Sequence, residues 1–179
     1  KPSHAGARLS QGRSAIREMA KRVVQIEEMT TEACTFSVGV FHGGTWVNCV
    51  SSEARAEALS MAKRQEDLDQ GVAAMLALSD VETGFEVTRG LTRPVWEPSE
   101  ATLDLAAMVE ALHREVGIGF VHKSQGGGSD GNFTGAMGVP TIDGLGVEGD
   151  MIHTLQEHLD VPSLVARARV MAGLLAQVE

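Results

Sequence analysis

The sequence predicts an α+β protein built in two parts, and three observations carry that expectation. Apolar residues recur at helical spacing twice in the first part: Ile16, Met19, Ala20, Val23, Val24 and Met29 in GRSAIREMAKRVVQIEEM, and a second set in EDLDQGVAAMLALS. Between them, CTFSVGVFHGGTWVNCV alternates in the manner of half-buried strands. From Pro94 to Pro98 the character changes, and a helix, a glycine-rich turn and a last helix follow.

Before that break the expected order is strand, helix, strand, strand, strand, helix, strand. The apolar runs 34–41 and 46–50 flank His42, Gly43, Gly44 and Thr45, where the glycines supply a hairpin turn. The second helix opens on acidic residues, which suit its positive N-terminal end. GFEVTRGLT then returns as a strand. Two helices on one face of a small antiparallel sheet give an α+β sandwich of about 90 residues, enough for independent folding.

After RPVWEP, the segment SEATLDLAAMVEALHREVG reads as a capped helix, with Ser99 at its start and Gly117 at its end. A short strand, IGFVH, leads into the glycine turn; VPTIDGLG, VEGDMIHTLQEH and an amphipathic helix from about Val161 to Gln177 complete the chain. Helix, strand, turn, strand, helix resembles the trailing part of an α/β domain. Its sheet is expected to be incomplete, because a parallel sheet needs neighbouring strands and covering helices.

Composition narrows the function. A hydrophobic fraction of 43% with 22% charged residues is that of a globular protein, and no apolar run approaches the length of a membrane span. A net charge of −9 argues against a nucleic-acid surface, which requires clustered Lys and Arg. Cys34 and Cys49 lack CxxC spacing and sit in apolar strand-like runs, so they read as reduced core thiols rather than a disulfide or metal site, consistent with a cytoplasmic protein. The opening KPSHAGARLS has neither a start methionine nor a signal-like apolar region, and reads as beginning inside a larger chain.

Local chemistry is sparse. In GGGSDGNFTG, residues 126–135, the glycines allow close backbone approach and positive φ, and Ser129 with Asp130 can cap a following helix. N–H groups exposed there suit a carboxylate or an oxyanion, although a purely structural turn is an equal reading, and the Lys of a phosphate-binding Walker loop is missing. His153 and His158 flank Glu157 in HTLQEH, but five residues apart they fall on different faces of a helix, unlike the zinc pair of HExxH. His4, His42, His113 and His122 are undistinguished by their neighbours.

The order of motifs says more. SHAGARLSQGRSAI, GGTWVN, TRPVWEP, GGGSDGN and VPTIDGLGVEGDMIHTLQEH follow one another as in the M20 family of zinc-dependent metallopeptidases and amidohydrolases, the group of the glutamate carboxypeptidases and acetylornithine deacetylase, which the chain resembles throughout. The resemblance implies a ferredoxin-like dimerisation (lid) domain over residues 1–92, followed by the C-terminal portion of a zinc-exopeptidase-like α/β catalytic domain over 93–179. It implies that His4 is a catalytic residue that reaches the partner subunit's active site and polarises the scissile carbonyl. Asn48 would hydrogen-bond substrate, and Arg93 would hold the substrate's terminal carboxylate, a task suited to a bidentate guanidinium. Gly127, Gly128 and Ser129 fall on the substrate-binding turn, and His153 on the family's last zinc ligand.

Two departures qualify the carry-over. Where the family has a substrate-binding arginine, this chain has Met61; Lys63, read as lying on the same strand face, could substitute only as a point charge. The family's upstream His-x-Asp ligand, bridging Asp, Glu-Glu pair and next carboxylate ligand have no counterpart in this sequence, so the resemblance implies a parent chain that begins before Lys1. Zinc, two ions per complete active site in the parent, is expected to be absent or weakly held by this chain alone, since catalytic sites use three protein ligands. The implied activity is hydrolysis of an amide next to a free carboxylate in a small peptide or acyl-amino acid, by a homodimer joined through its lid domains to which the N-terminal half of the catalytic domain contributes. The alternative is an inactive dimerisation module without a metal centre. Neither nucleic acid nor membrane is an expected partner.

Overall fold

A computed structural model describes residues 1–123 and 127–178. The chain divides into two compact units, Lys1–Val95 and Trp96–Glu179. No helix among the described residues is long and apolar enough to cross a membrane.

The first unit is α+β. Strand β1 (Ser3–His4) is followed by a 3₁₀ turn (Leu9–Gln11), helix α1 (Ala15–Glu27), strands β2 (Cys34–Gly43), β3 (Cys49–Val50) and β4 (Ala54–Ala62), and helix α2 (Gln65–Leu76). Ser14 starts α1 by accepting the Arg17 N–H on its hydroxyl, satisfying one orphan donor of the first turn. Strands β2 and β4 form a long antiparallel ladder from Cys34↔Ala62 to Gly43↔Ala54, with a bulge at Gly39 that shifts the register between Val38 and Val40. Ahead of the bulge, alternation turns Cys34 and Phe36 inward, where they join Ile26 of α1 with Met29, Val38, Ala62, Met75 and Leu78 packed around them. Both helices therefore cover one face of the ladder.

The hairpin differs from expectation. The partner of β2 is β4, and Cys49–Val50 pairs instead with β1, Ser3 opposite Val50 and His4 opposite Cys49. Alternation fixes which face of a strand is buried but not which strand lies beside it. Trp46 and Val47, expected within a strand, stand exposed, and Cys49 faces outward because its neighbour Val50 takes the buried side. On α1, Ile16 and Val24 are exposed while Ile26 is the buried residue, so the core face lies rotated from the predicted stripe. Lys63 lies beyond the end of β4 and shares no strand face with Met61.

GFEVTRGLT does not form a strand. Phe85 makes one antiparallel bridge to Asp80, and residues 86–92 join no ladder. A tight turn holds this segment: the N–H groups of Asp80 and Phe85 each bond the other's carbonyl at 2.7 and 2.9 Å. Arg13 donates to the carbonyls of Glu82 and Thr83, and the Arg22 guanidinium lies 4.9 Å over the Phe85 ring.

The second unit contains helix α3 (Glu100–Glu115), the short helix α4 (Gly131–Ala136), strands β5 (Gly149–Asp150) and β6 (His158–Leu159), and helix α5 (Ser163–Gln177). Ser99 caps α3 by accepting the Thr102 N–H, and Gly117 follows it at φ 74°, the left-handed exit that glycine adopts without strain. Val109 and Leu112 of α3 pack against Val170 and Leu174 of α5. The helices meet closely at Gly173, where a Cβ would lie 2.7 Å from a Leu112 methyl.

Neither IGFVH nor VPTIDGLG forms a strand, and HTLQEH is not helical. An extended segment needs a hydrogen-bonding neighbour to become a strand, and among the described residues these two have none. Their apolar residues Ile118, Phe120, Ile142 and Leu145 pack instead against the α3–α5 core.

Candidate functional site

In the first unit, two candidate residues widely separated in sequence are brought side by side. The β1–β3 pairing sets His4 opposite Cys49, and the Ala5 N–H donates to the Asn48 carbonyl at 2.8 Å. Gly12 permits this closure, since a Cβ there would come within 2.9 Å of a Val50 methyl.

The imidazole of His4 has a defined role in this turn. Its Nδ1 receives the backbone N–H groups of Gly6 and Ala7, each at 3.1 Å. Backbone N–H groups only donate, so Nδ1 is the acceptor nitrogen and the proton of the neutral ring sits on Nε2. His4 is exposed, and it offers an N–H donor on the side away from its own backbone. That is the polarity needed to polarise a carbonyl oxygen.

Arg93 lies in the irregular stretch past the Phe85 turn; two residues on, the Val95 N–H is held by Gln65 Oε1 at 2.8 Å. In the second unit, Gly126 lies outside the described residues. Gly127 has open space where a Cβ would stand, so packing within 4 Å does not demand glycine there. Ser129 accepts the Gly131 N–H on its hydroxyl at 3.0 Å, and its own N–H donates to Asn132 Oδ1 at 2.9 Å. The cap of α4 is thus built by Ser129, while Asp130 makes no side-chain cap bond.

His153 sits in the loop joining β5 to β6 and is exposed. Its φ is 65° and that of Met151 is 60°, left-handed values that non-glycine residues seldom adopt. The loop holds itself in that form: the His153 N–H donates to Glu157 Oε2 at 2.9 Å and the Met151 N–H to Asp150 Oδ1 at 2.7 Å. His158 lies in β6 opposite Asp150, with its Nδ1 at 2.9 Å from the Gln156 carbonyl.

A zinc centre does not fit the described residues by themselves. No group of three or more His, Cys, Asp or Glu among them is placed to hold a metal ion. The donor set offered by His153 is one imidazole, short of the three protein ligands of a catalytic site.

Sequence reasoning missed a buried pair. His113 is fully buried, its Nδ1 at 2.8 Å from the Val109 carbonyl and its Nε2 at 2.7 Å from Arg167 Nη1.

Residues 1–84 match the family model described as the peptidase dimerisation domain, M20_dimer. Beyond that match, the likeness to larger proteins runs over nearly the whole chain. The chain is 28% identical to the protein YqjE of Bacillus subtilis strain 168, over 99% of this chain and 49% of that protein. Among solved structures, it is similar to aminopeptidase PepT from Bacillus cereus ATCC 10987, with 25% identity, a TM-score of 0.67, and 97% of this chain and 48% of that one covered. A tripeptidase from Staphylococcus aureus subsp. aureus Mu50 shares the fold, with 24% identity, a TM-score of 0.66 and the same coverage of 97% and 48%. The chain spans about half the length of the relatives it matches.

Proposed function

We propose that residues 1–92 are the dimerisation domain, and residues 93–179 an adjoining catalytic segment, of an M20-type metallopeptidase that hydrolyses an amide bond next to a free carboxylate. The observation that carries this reading is the approach of the Asn48 backbone, bonded by the Ala5 N–H, to the strand that bears His4, with the proton of the neutral His4 ring on Nε2. His4 polarises the scissile carbonyl in the partner subunit's site, and Asn48 donates to substrate. Arg93 holds the terminal carboxylate, and Gly127, Gly128 and Ser129 line the substrate turn. His153 is one zinc ligand of a two-zinc centre whose other ligands come from outside these 179 residues. Zinc supplies Lewis acidity to such a centre. The protein acts in the cytoplasm as a homodimer joined through its first unit.

The test is an assay of the complete protein with zinc and N-acyl-glutamate substrates. Hydrolysis that falls by about 100-fold or more in His4→Gln, with dimerisation unchanged, supports the reading; such factors are usual for loss of a carbonyl-polarising donor. An intact, zinc-loaded dimer that cleaves no acyl-amino acid or small peptide overturns it and favours the alternative, an inactive dimerisation module. The 179-residue chain alone is expected to self-associate in sedimentation and to bind no stoichiometric zinc.

A further inference from the structure

Helix α4 rests on the ring of Trp96. Gly131 and Gly135 stand four residues apart and so share one face of the helix. Trp96 lies against both: a Cβ at Gly131 would come 3.3 Å from Trp96 Cζ3, and at Gly135 the three atoms nearest to a Cβ all belong to the indole. The six-membered ring therefore faces the first turn of α4 and the five-membered ring its end. The larger apolar side chains turn elsewhere, with Phe133 36% exposed and the following Met137 79%. None of the residues of α4 is buried, so the helix is docked by its glycine face on Trp96 rather than by burial of its own side chains.

Ser129 is tied to that face. Its hydroxyl accepts the Gly131 N–H at 3.0 Å and its own N–H donates to Asn132 Oδ1 at 2.9 Å, so a displacement of the first turn of α4 carries Ser129 with it. The indole N–H takes no part. Trp96 Nε1 is buried and has no hydrogen-bond partner among the described residues, whereas a tryptophan held for its polar end finds an acceptor. Here the ring acts through its flat face.

We propose that Trp96 is a positioning residue for the substrate turn: its ring sets the seat of α4 and, through Gly131, the place of Ser129. The inference rests on the hydrolase reading above and deepens it with a residue that touches no substrate yet decides how well the turn grips one. Misplacing a substrate-holding group by about 1 Å can cost up to about 100-fold, and a turn that partly readjusts is expected to lose about tenfold.

The experiment pairs two measurements. In the 179-residue chain, amide exchange followed by NMR is expected to quicken about tenfold at Ser129 and Gly131 in Trp96→Ala, while Val109 and Leu112 of α3 keep their protection. In the complete protein, hydrolysis of N-acetylglutamate or trialanine, whichever is cleaved, is expected to show KM raised about tenfold with kcat changed by less than about twofold. A purely structural defect would lower the folded fraction, and with it kcat, and leave KM alone. Trp96→Phe keeps a flat ring and loses only an unbonded N–H, so its KM should stay within about threefold of wild type. Gly135→Ala is the second variant: alanine favours helix, yet its methyl must push the indole aside, so KM is expected to rise, and its effect should not add to that of Trp96→Ala in the double variant. Unchanged exchange at Ser129 and Gly131, hydrolysis with KM unmoved in both variants, or a loss in Trp96→Phe as great as in Trp96→Ala overturns the inference and leaves the hydrolase reading standing. A zinc-loaded wild-type dimer that cleaves neither substrate overturns the hydrolase reading, and this inference with it, since the ring is then packing alone.

Discussion

Arg167 donates from Nη1 to Nε2 of the buried His113 at 2.7 Å, and the same guanidinium reaches the Gly146 carbonyl through Nε at 2.7 Å and the Gly144 carbonyl through Nη2. Arginine only donates and the Val109 carbonyl only accepts, so His113 is neutral with its proton on Nδ1. One side chain on α5 thus joins α3 to the segment that leads into β5. Arg167→Met leaves a buried ring nitrogen without a donor and is expected to cost about 1–3 kcal/mol in urea unfolding. Arg167→Lys is expected to recover less than half of that, because an ammonium lacks the planar fork. A loss below about 0.5 kcal/mol for the methionine variant, the range of ordinary surface changes, would show that the junction contributes nothing.

Asp80 gives the first unit an acid-sensitive turn. The Thr83 side chain, then the backbone N–H groups of Glu82 and Thr83, and then Arg22 hold its carboxyl below the usual carboxylate range, against an opposing effect of desolvation. The Arg22 contact measures 3.1 Å. A carboxyl whose folded value lies below its unfolded value of about 3.9 stabilises the fold above that unfolded value. The contribution is lost as pH falls through the folded value. Wild type is therefore expected to melt above Asp80→Asn at neutral pH, with the gap closing on acidification below about pH 4. A gap that stays constant down to pH 2 would sink the assignment.

What could be read in advance follows the range of each interaction. The α3 boundaries were legible because Ser99 and Gly117 act on backbone groups within a turn of themselves. The helices of the first unit were legible from periodicity, but the buried face of α1 was not, since Ile26 is selected by Cys34 and Phe36 of β2. The partner of β2 was illegible for the same reason, because choice among strands is made by the whole sheet. His4 and Asn48 were found as candidates through the order of motifs, while the approach of their backbones depends on a pairing between segments about 45 residues apart. His113 carried no local mark, its decisive partner lying 54 residues away.

Gly71 sits on the buried face of α2, where an added Cβ would lie 2.6 Å from Cys34 Sγ and 3.1 Å from Phe36 Cζ. In an exposed helix, alanine for glycine gains about 1 kcal/mol. Here the methyl must displace a strand side chain, at roughly 1–3 kcal/mol for overpacking. Gly71→Ala is therefore expected to lower the melting temperature. Adding Cys34→Ala removes the nearest atom, so the double variant should be less destabilised than the sum of the two single changes. Strict additivity would mean that the helix shifts away from the strand instead of colliding with it.

The two thiols should separate cleanly in reactivity. Cys34 is 5% exposed, and burial first, then the nearby Asp67 charge, push its thiol up despite a lowering backbone contact from Met61. Attack on a disulfide reagent requires the thiolate and access to it, and Cys34 is short of both. Cys49 is exposed, on the strand paired with β1. Under native conditions an aromatic disulfide reagent is expected to modify one thiol promptly and the second only at the rate of unfolding. Cys49→Ser should abolish the prompt phase, and Cys34→Ser should leave it intact. If both thiols react promptly in the native chain, Cys34 is not enclosed by α1 and α2, and the core around Ile26 and Phe36 must open far more readily than its packing implies.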